Sequence, residues 1–267
     1  MCGFHNIINK EEPPLDLFSD EDIERVILGI YTGLITIHSL DLNTYLKIAR
    51  KLSEGIYEGY GKNISEVVFY DEEYLMLKAL RENVFHFSAA KTYQQTREMS
   101  SLLTEADRIR TFNEFKTYAK EIFDKYNENY LRAEYNSAIA QSNTAQKWQE
   151  IQKFSKTLPM LTYHTVGDGR VRPAHEELNN ISRPVNDKFW DKFMPPNGWN
   201  CRCTVLQSSD AEKTSLSGFK TPSDVPDIFQ FNAGKDKIVF SPKHPYFKEV
   251  PKKDKDFAKT NFGLPIV

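Results

Sequence analysis

Apolar positions recur at helical spacing through the first part of the chain and give way to short extended runs after Pro159. Ile23, Val26, Ile27, Ile30 and Tyr31 share one face, and Ser19 with Asp22 has the spacing of a capping box, so a helix is expected to begin there. Leu42, Leu46, Ala49, Leu52, Ile56 and Tyr57 repeat the stripe, and Gly59-Tyr60-Gly61 supplies its stop. Asp71 to Asn83 and Ser88 to Leu103 predict two further helices, with Val84-Phe85-His86-Phe87 as an apolar junction between them. His86, flanked by phenylalanines, reads as a core or helix-end histidine in preference to a ligand. From Thr111 no proline interrupts the helical pattern until Pro159, although a break is expected near Asn127. Leu131, Tyr135, Ala138, Ser142 and Ala145 form a narrow stripe of mostly small residues, suited to close helix packing. Arg132, Asn136 and Asn143, with Glu134 to one side, form a polar stripe. It reads either as a solvated face or as a buried network reaching Asp168 or His175.

Beyond Pro159 the punctuation changes. Thr162 to Val166 is β-branched and aromatic, Gly167-Asp168-Gly169 is a turn, and Arg170-Val171-Arg172 alternates, which predicts a hairpin. Pro173 then opens a short helix carrying His175 and Glu176. Met194-Pro195-Pro196-Asn197-Gly198 must be a loop, because two prolines and a glycine break both ladders. Trp199 to Leu206 reads as a second strand, with Cys201 and Cys203 on one face and Arg202 on the other. Gln207 to Asp224 is expected to be a loop, Ile238-Val239-Phe240 a short strand, and Ser241 to Phe247 a lid over the sheet edge. The expected class is α+β: an extended arm (1–18), a helical region (19–156), an α+β module with an antiparallel sheet (157–247) and a tail (248–267) whose lysines alternate with acids.

Composition narrows the functional classes. The 267 residues carry a formal net charge of -2, 40% are apolar and 27% charged, so there is no global electrostatic footprint for nucleic acid. No apolar run is long enough to span a membrane, and the first residues lack a basic segment followed by an apolar core, so neither export nor membrane insertion is expected. Three cysteines do not make a disulfide framework. On a regular strand Cys201 and Cys203 would stand roughly 6.6 to 7 Å apart, too far for a disulfide, so reduced thiols are expected. Phosphate loops, nucleophile elbows, His-Glu-x-x-His helices and dinucleotide fingerprints are absent from the sequence.

Two stretches carry a family resemblance. Asp168-Gly-Arg-Val-Arg-Pro-Ala-His175 followed by Pro195-Pro-Asn-Gly-Trp-Asn-Cys-Arg-Cys203 resembles the signature of the phage Mu F-like proteins, minor head or head-morphogenesis proteins of tailed phages and prophages. Arg172, Pro173, His175, Pro195, Pro196, Trp199, Asn200, Cys201, Arg202 and Cys203 fall in the family's order. The helix Leu131 to Asn136, with Arg132, Glu134 and Asn136, is similar to the one preceding that signature, and Phe87 to Gln95 resembles the family's amino-terminal region. The likeness covers residues 80 to 206. It implies a minor capsid protein near the portal that assists procapsid assembly, with the portal protein and major capsid protein as partners. Its location would be the virion head, and the bacterial host cytoplasm during assembly. The resemblance leaves contact with packaged or ejected DNA open, and no small-molecule substrate or membrane is expected. Some Mu F-like proteins resemble carriers of an appended toxin or nuclease domain; this chain ends soon after the module, so none is expected.

Three chemistries compete at the signature. Arg170, Arg172 and Arg202 can hold Asp168 and His175 in a knot of charge-assisted hydrogen bonds, with Arg202 paired to Asp168 or Glu176 as the specific expectation. In that architectural reading there is no cofactor, and the thiols are small buried hydrophobes beneath the Pro-Pro loop with Trp199 over them. A zinc reading uses His175, Cys201 and Cys203, with His164 as a fourth candidate, and requires the chain to bend at Asn200 or Arg202. A metal- or thiol-dependent hydrolase or effector would use Cys201 or Cys203 as nucleophile, His175 as base, and Asp168 or Glu176 to orient it. The architectural reading fits the residues best.

Overall fold

Ser19 and Asp22 cap each other reciprocally, and helix α1 (Asp20–Tyr31) starts behind them. The computed structural model describes residues 15–220, 222 and 225–251. The expected arm and tail therefore lie, at 1–14 and 252–267, outside the described residues; Leu15, Leu17 and Phe18 pack on the helical core. Helix α2 (Leu42–Tyr60) begins at Asp41, which accepts the Thr44 amide, and ends at Gly61 with a left-handed φ of 79°. Helix α3 (Glu72–Ser101) runs 30 residues from its Asp71 cap without interruption, so the expected junction at Val84 to Phe87 does not exist. From Phe87 to Thr96 every residue is buried, and a helix enclosed on all sides has no reason to keep a one-sided stripe. His86 is half-buried on this helix, and burial lowers its pKa.

A two-residue ladder, β1 (Thr104–Glu105) with β2 (Arg108–Ile109), turns the chain into α4 (Phe112–Asp124). The break expected near Asn127 is a widening of the helix: Lys125–Tyr130 is a π-helical stretch leading directly into α5 (Leu131–Phe154). Asn127 is buried there, its amide donating to the Phe123 carbonyl and to Gln95. Helices α2 and α5 approach closely because small residues face each other. A Cβ at Gly59 would stand 2.0 Å from the Ile139 carbonyl oxygen, and one at Gly55 would meet Ala138 and Tyr135 at 3.2 Å.

The carboxy-terminal sheet has three antiparallel strands in the order β4-β3-β5: β3 (Met160–His164) in the centre, β4 (Ser182–Pro184) and β5 (Thr204–Ser208) at its edges. The expected hairpin through Arg170-Val171-Arg172 is absent. Both edges of β3 are taken by strands from farther along the chain, so residues 165–172 have no free edge to pair with. They form a turn closed by the Val171 amide on the Asp168 carbonyl. Helix α6 (Pro173–Glu176) starts on proline, as its missing amide allows, and α7 (Trp190–Phe193) follows. Leu161, Tyr163, Leu178, Trp190, Phe193 and Val205 form the core of this half, and Trp148 and Ile151 of α5 complete it. Helix α5 is thus common to both cores.

After the sheet the chain returns to the helices through α8 (Ala233–Asp236) and α9 (Pro245–Lys248). Ile238 to Phe240 is not a strand. Asn83 substitutes for a partner, its Oδ1 accepting the amides of Val239 and Phe240 and its Nδ2 donating to the Phe240 carbonyl. Nor is Ser241 to Phe247 a lid over the sheet. Phe240 stacks on Phe87 with ring centroids 3.7 Å apart, Gln94 donates to the Tyr246 carbonyl, and Phe247 and Val250 join the helical core. Apolar surface decides this placement: Phe87 on α3 offers Phe240, Tyr246 and Phe247 ring contacts within the helical core. The fold is α+β, and among the described residues no helix is long and apolar enough to cross a membrane.

Candidate metal centre

Helix α6 is short, but it is pinned at both ends, and its third residue points inward. His175 is 2% exposed. Its Nε2 lies 3.3 Å from the carbonyl oxygen of Asn197. A carbonyl can only accept, so Nε2 carries the proton and Nδ1 presents its lone pair to the other side. On that side are two sulfurs, Cys201 Sγ at 3.6 Å and Cys203 Sγ at 3.5 Å. The three donor atoms all lie within 4.8 Å of one another.

The sulfurs converge because Trp199 to Cys203 is not the expected strand. Pairing between β3 and β5 ends at His164 opposite Thr204, and upstream of that point the chain has no neighbour to hold it extended. It turns: Asn200 adopts a left-handed φ of 54° and the Cys201 amide bonds the Gly198 carbonyl. Asparagine tolerates this backbone, and its side chain is further held by the amide of Asn136 at 3.2 Å. The wide same-face separation expected from a regular strand is therefore lost. His164, at the end of β3, is not part of the three-donor group.

The support is polar and buried. Asn197 accepts from the Tyr163 hydroxyl at 3.1 Å and donates to the carbonyls of Lys192 and Phe229 at 3.3 Å. The Pro195 carbonyl accepts from Thr144 at 2.7 Å and the Pro196 carbonyl from Gln141 at 3.5 Å, so α5 positions the Pro-Pro loop. Gly198 comes close to the site: a Cβ there would meet Arg172 Nη1 at 3.2 Å and His175 Nε2 at 3.6 Å. Arg172 in turn donates to the Trp199 carbonyl at 2.6 Å. The Trp199 ring has Phe229 and His244 as its aromatic neighbours.

Charge surrounds this cluster without entering it. Arg202 grips Asp168 with two hydrogen bonds of 2.6 Å, and Arg170 approaches the same carboxylate at 3.6 Å. The Arg202 guanidinium holds the Asp168 carboxyl well below the usual carboxylate range. Glu176 bonds Thr165 and Asn179 instead. The expected network from α5 forms only in part. Asn136 reaches the site through Asn200, and Arg132 is half-buried on the same helix. Glu134 is 2% exposed and turns away to Lys91 Nζ at 2.6 Å and the Tyr246 hydroxyl at 3.1 Å. Lys91 lies within Phe87 to Gln95, and a lysine set among small and aromatic residues is the sequence signal for this buried pair.

The two thiols behave as a pair. A hydrogen bond from Cys203, reinforced by His175, pulls the Cys201 pKa down, while the neighbouring Cys201 sulfur and burial push Cys203 up. A nucleophile–base–carboxylate array is not assembled, because both candidate carboxylates are engaged elsewhere and the histidine's second nitrogen faces a backbone carbonyl. Soft sulfur and imidazole donors converging on one point are instead the set that a zinc-like ion takes.

Residues 106–206 match the family model described as phage Mu protein F like protein. Over 82 residues the chain is 37% identical to the putative capsid assembly protein F of Escherichia phage Mu, covering 31% of this chain and 19% of that protein. Over 52 residues it is 36% identical to the Mu-like prophage FluMu F protein of Haemophilus influenzae, covering 20% of this chain and 13% of that one. The matched stretches thus span a fifth or less of these curated relatives. No solved structure matches the chain significantly.

Proposed function

We propose that this chain, whose residues 106–206 form a phage Mu F-like region, acts in assembling the head of a tailed phage or prophage. The observation that carries this reading is where the match falls. It takes in α4, α5, β3, β4, the start of β5 and all of His175, Cys201 and Cys203, and a relative matched there is named a putative capsid assembly protein. The partners would be capsid components, the portal protein and major capsid protein in particular, met in the host cytoplasm and retained in the virion head.

A surface suited to a protein partner supports it. Val68, Phe69 and Tyr70 are 73%, 66% and 69% exposed. The Phe69 ring lies 4.3 Å from Tyr70 and 4.8 Å from Tyr74, a contiguous aromatic patch of the sort that marks association sites. Contact with DNA, if the role includes it, would have to be local, since the net charge of -2 gives no global electrostatic footprint for a polyphosphate backbone. Co-expression with a portal protein and a major capsid protein of the same phage or prophage tests it. The chain should sediment with procapsids, and Phe69→Ser with Tyr70→Ser should lower its incorporation about tenfold. A protein that stays monomeric and never enters heads overturns the proposal.

A further inference from the structure

We infer that His175, Cys201 and Cys203 bind one zinc-like transition-metal ion, which staples α6 to the segment entering β5, with the fourth coordination position facing solvent. The inference is independent of the assembly role and rests on distances. A tetrahedral zinc has Zn–S of about 2.3 Å and Zn–N of about 2.0–2.1 Å, which sets its N···S edges at about 3.6 Å and its S···S edge at about 3.8 Å. The observed N···S separations are 3.6 and 3.5 Å, and the two sulfurs lie within 4.8 Å of each other, close enough to draw in on one ion. A hydrogen bond alone gives one ring nitrogen no reason to stand at equal distance from two sulfurs, because its single lone pair accepts one S–H well. A shared ion does.

The ring is also set in the orientation that a ligand needs. The Asn197 carbonyl fixes the proton on Nε2, leaving Nδ1 free to donate its lone pair; backbone carbonyls orient metal-bound histidines in this way. Asn197 is itself fully buried and fixed through its side-chain oxygen and nitrogen by three partners, so the orientation is rigid. Two sulfurs and one imidazole favour zinc over the oxygen-seeking cations.

The fourth vertex has its own space. A cavity of about 20 Å³ opens beside the donors, lined by Arg170, Arg172, Asn200 and Arg202 as well as the two cysteines. That volume holds about one water-sized ligand. Two thiolates neutralise a divalent ion, and the guanidiniums around the opening favour a small anion over a cation. The ligand there is therefore water, exchangeable for an anion. Binding as thiolates releases the thiol protons to solvent.

The full chain, purified under reducing conditions, should contain about one zinc per molecule by elemental analysis. His175→Ala and Cys203→Ser should each lower that content about tenfold, whereas Cys203→His, which keeps a donor, should retain most of it. Because the weaker variants could misfold, the wild type carries the decision. Removing zinc with a chelator should expose two thiols to a thiol reagent that were unreactive before, and zinc should protect them again. Cobalt added to the stripped protein should give the intense spectrum of a tetrahedral thiolate site, shifted by azide at the open vertex. A folded wild type without metal whose two thiols react equally with and without added zinc overturns the site, as does a Cys201–Cys203 disulfide in its mass. A cobalt spectrum insensitive to azide overturns the open vertex.

Discussion

The two halves of the molecule handle polarity in opposite ways. The helical half buries a full ion pair: Lys91 is 0% and Glu134 2% exposed, 2.6 Å apart, with the Tyr126 carbonyl and the Tyr246 hydroxyl completing their hydrogen bonds. The sheet half keeps the ion pair beside its candidate site, Arg202 with Asp168, at the surface and a second, Arg183 with Asp187, half-buried, and places imidazole and sulfur inside. Burial therefore opposes the charge on both members of the helical pair, pushing Glu134 up and Lys91 down, and each offsets the other's cost. In the sheet half the interior donors can stay neutral or be neutralised by an ion. The helical half should therefore be sensitive to losing a single charge, and the sheet half to losing a donor.

The sharpest way to break this comparison is to remove one member of the buried pair. Lys91→Met or Glu134→Leu alone leaves an uncompensated buried group and should cost about 3–5 kcal/mol in urea unfolding. The double substitution should recover most of that loss, because the desolvation cost disappears with both charges. Single variants within about 1 kcal/mol of wild type would show that the pair is not what the helices close around.

Acid tests the same core through His244, packed against Phe87, Phe240, Tyr246 and Trp199. Burial, and then the nearby Lys91 cation, lower its pKa to about 3. Its Nδ1 accepts the Tyr246 amide at 3.3 Å, which also requires that nitrogen to be unprotonated. A histidine with a folded pKa below its unfolded one, near 6.5, contributes stability that is complete above about pH 6.5 and is lost as pH falls toward about 3. The loss should be on the order of 3 kcal/mol by pH 4. His244→Asn keeps a capping acceptor without the titration and should flatten this slope of urea midpoint against pH. An unchanged slope would assign the acid sensitivity elsewhere.

Gly59 sharpens the comparison at the seam between α2 and α5. With a Cβ 2.0 Å from a backbone oxygen, Gly59→Ala must push the helices apart, and overpacking of this sort costs about 1–3 kcal/mol. Thermal unfolding should show the loss. A gain in stability, as helix propensity alone predicts for Gly→Ala, would mean that the helices are not in close contact.

What could be read from sequence follows the range of the interactions. Helices α1 and α2 were readable because Ser19, Asp22 and Gly61 act within a few residues of the backbone they cap. The unbroken α3 was not, because its burial comes from elements far along the chain. The expected hairpin failed for a related reason: Gly167-Asp168-Gly169 does form a turn, but Ser182–Pro184 and Thr204–Ser208 hold the edges of β3. At the candidate site the donor types were visible and their convergence was not. The two-residue spacing of Cys201 and Cys203 separates them on a strand; of the two bend positions that convergence allows, Asn200 and Arg202, the structure uses Asn200, and that turn brings both sulfurs to His175. Lys91 and Glu134 are 43 residues apart, and nothing local links them.

The smallest expected effect lies at the surface pair. Asp168 is 40% exposed, and its pKa, lowered first by the Arg202 hydrogen bond, reflects a contact that water and salt screen. A depressed carboxyl contributes stability above its unfolded pKa, near 4, and loses it as pH falls below that value. Asp168→Asn should therefore leave the urea midpoint at pH 7 almost unchanged, and any difference should vanish in 1 M salt. The geometry of the turn does not depend on the charge either, because an asparagine oxygen can still accept the Arg170 amide that Asp168 accepts at 3.1 Å. Thiol accessibility is the readout that separates a clamp from ornament: if the pair holds the Cys-Arg-Cys segment in register, Asp168→Asn should raise thiol reactivity a few-fold without moving the unfolding midpoint. Equal reactivity in both proteins would leave the turn at Asn200 and the bond to Asn136 as the elements that fix the sulfurs.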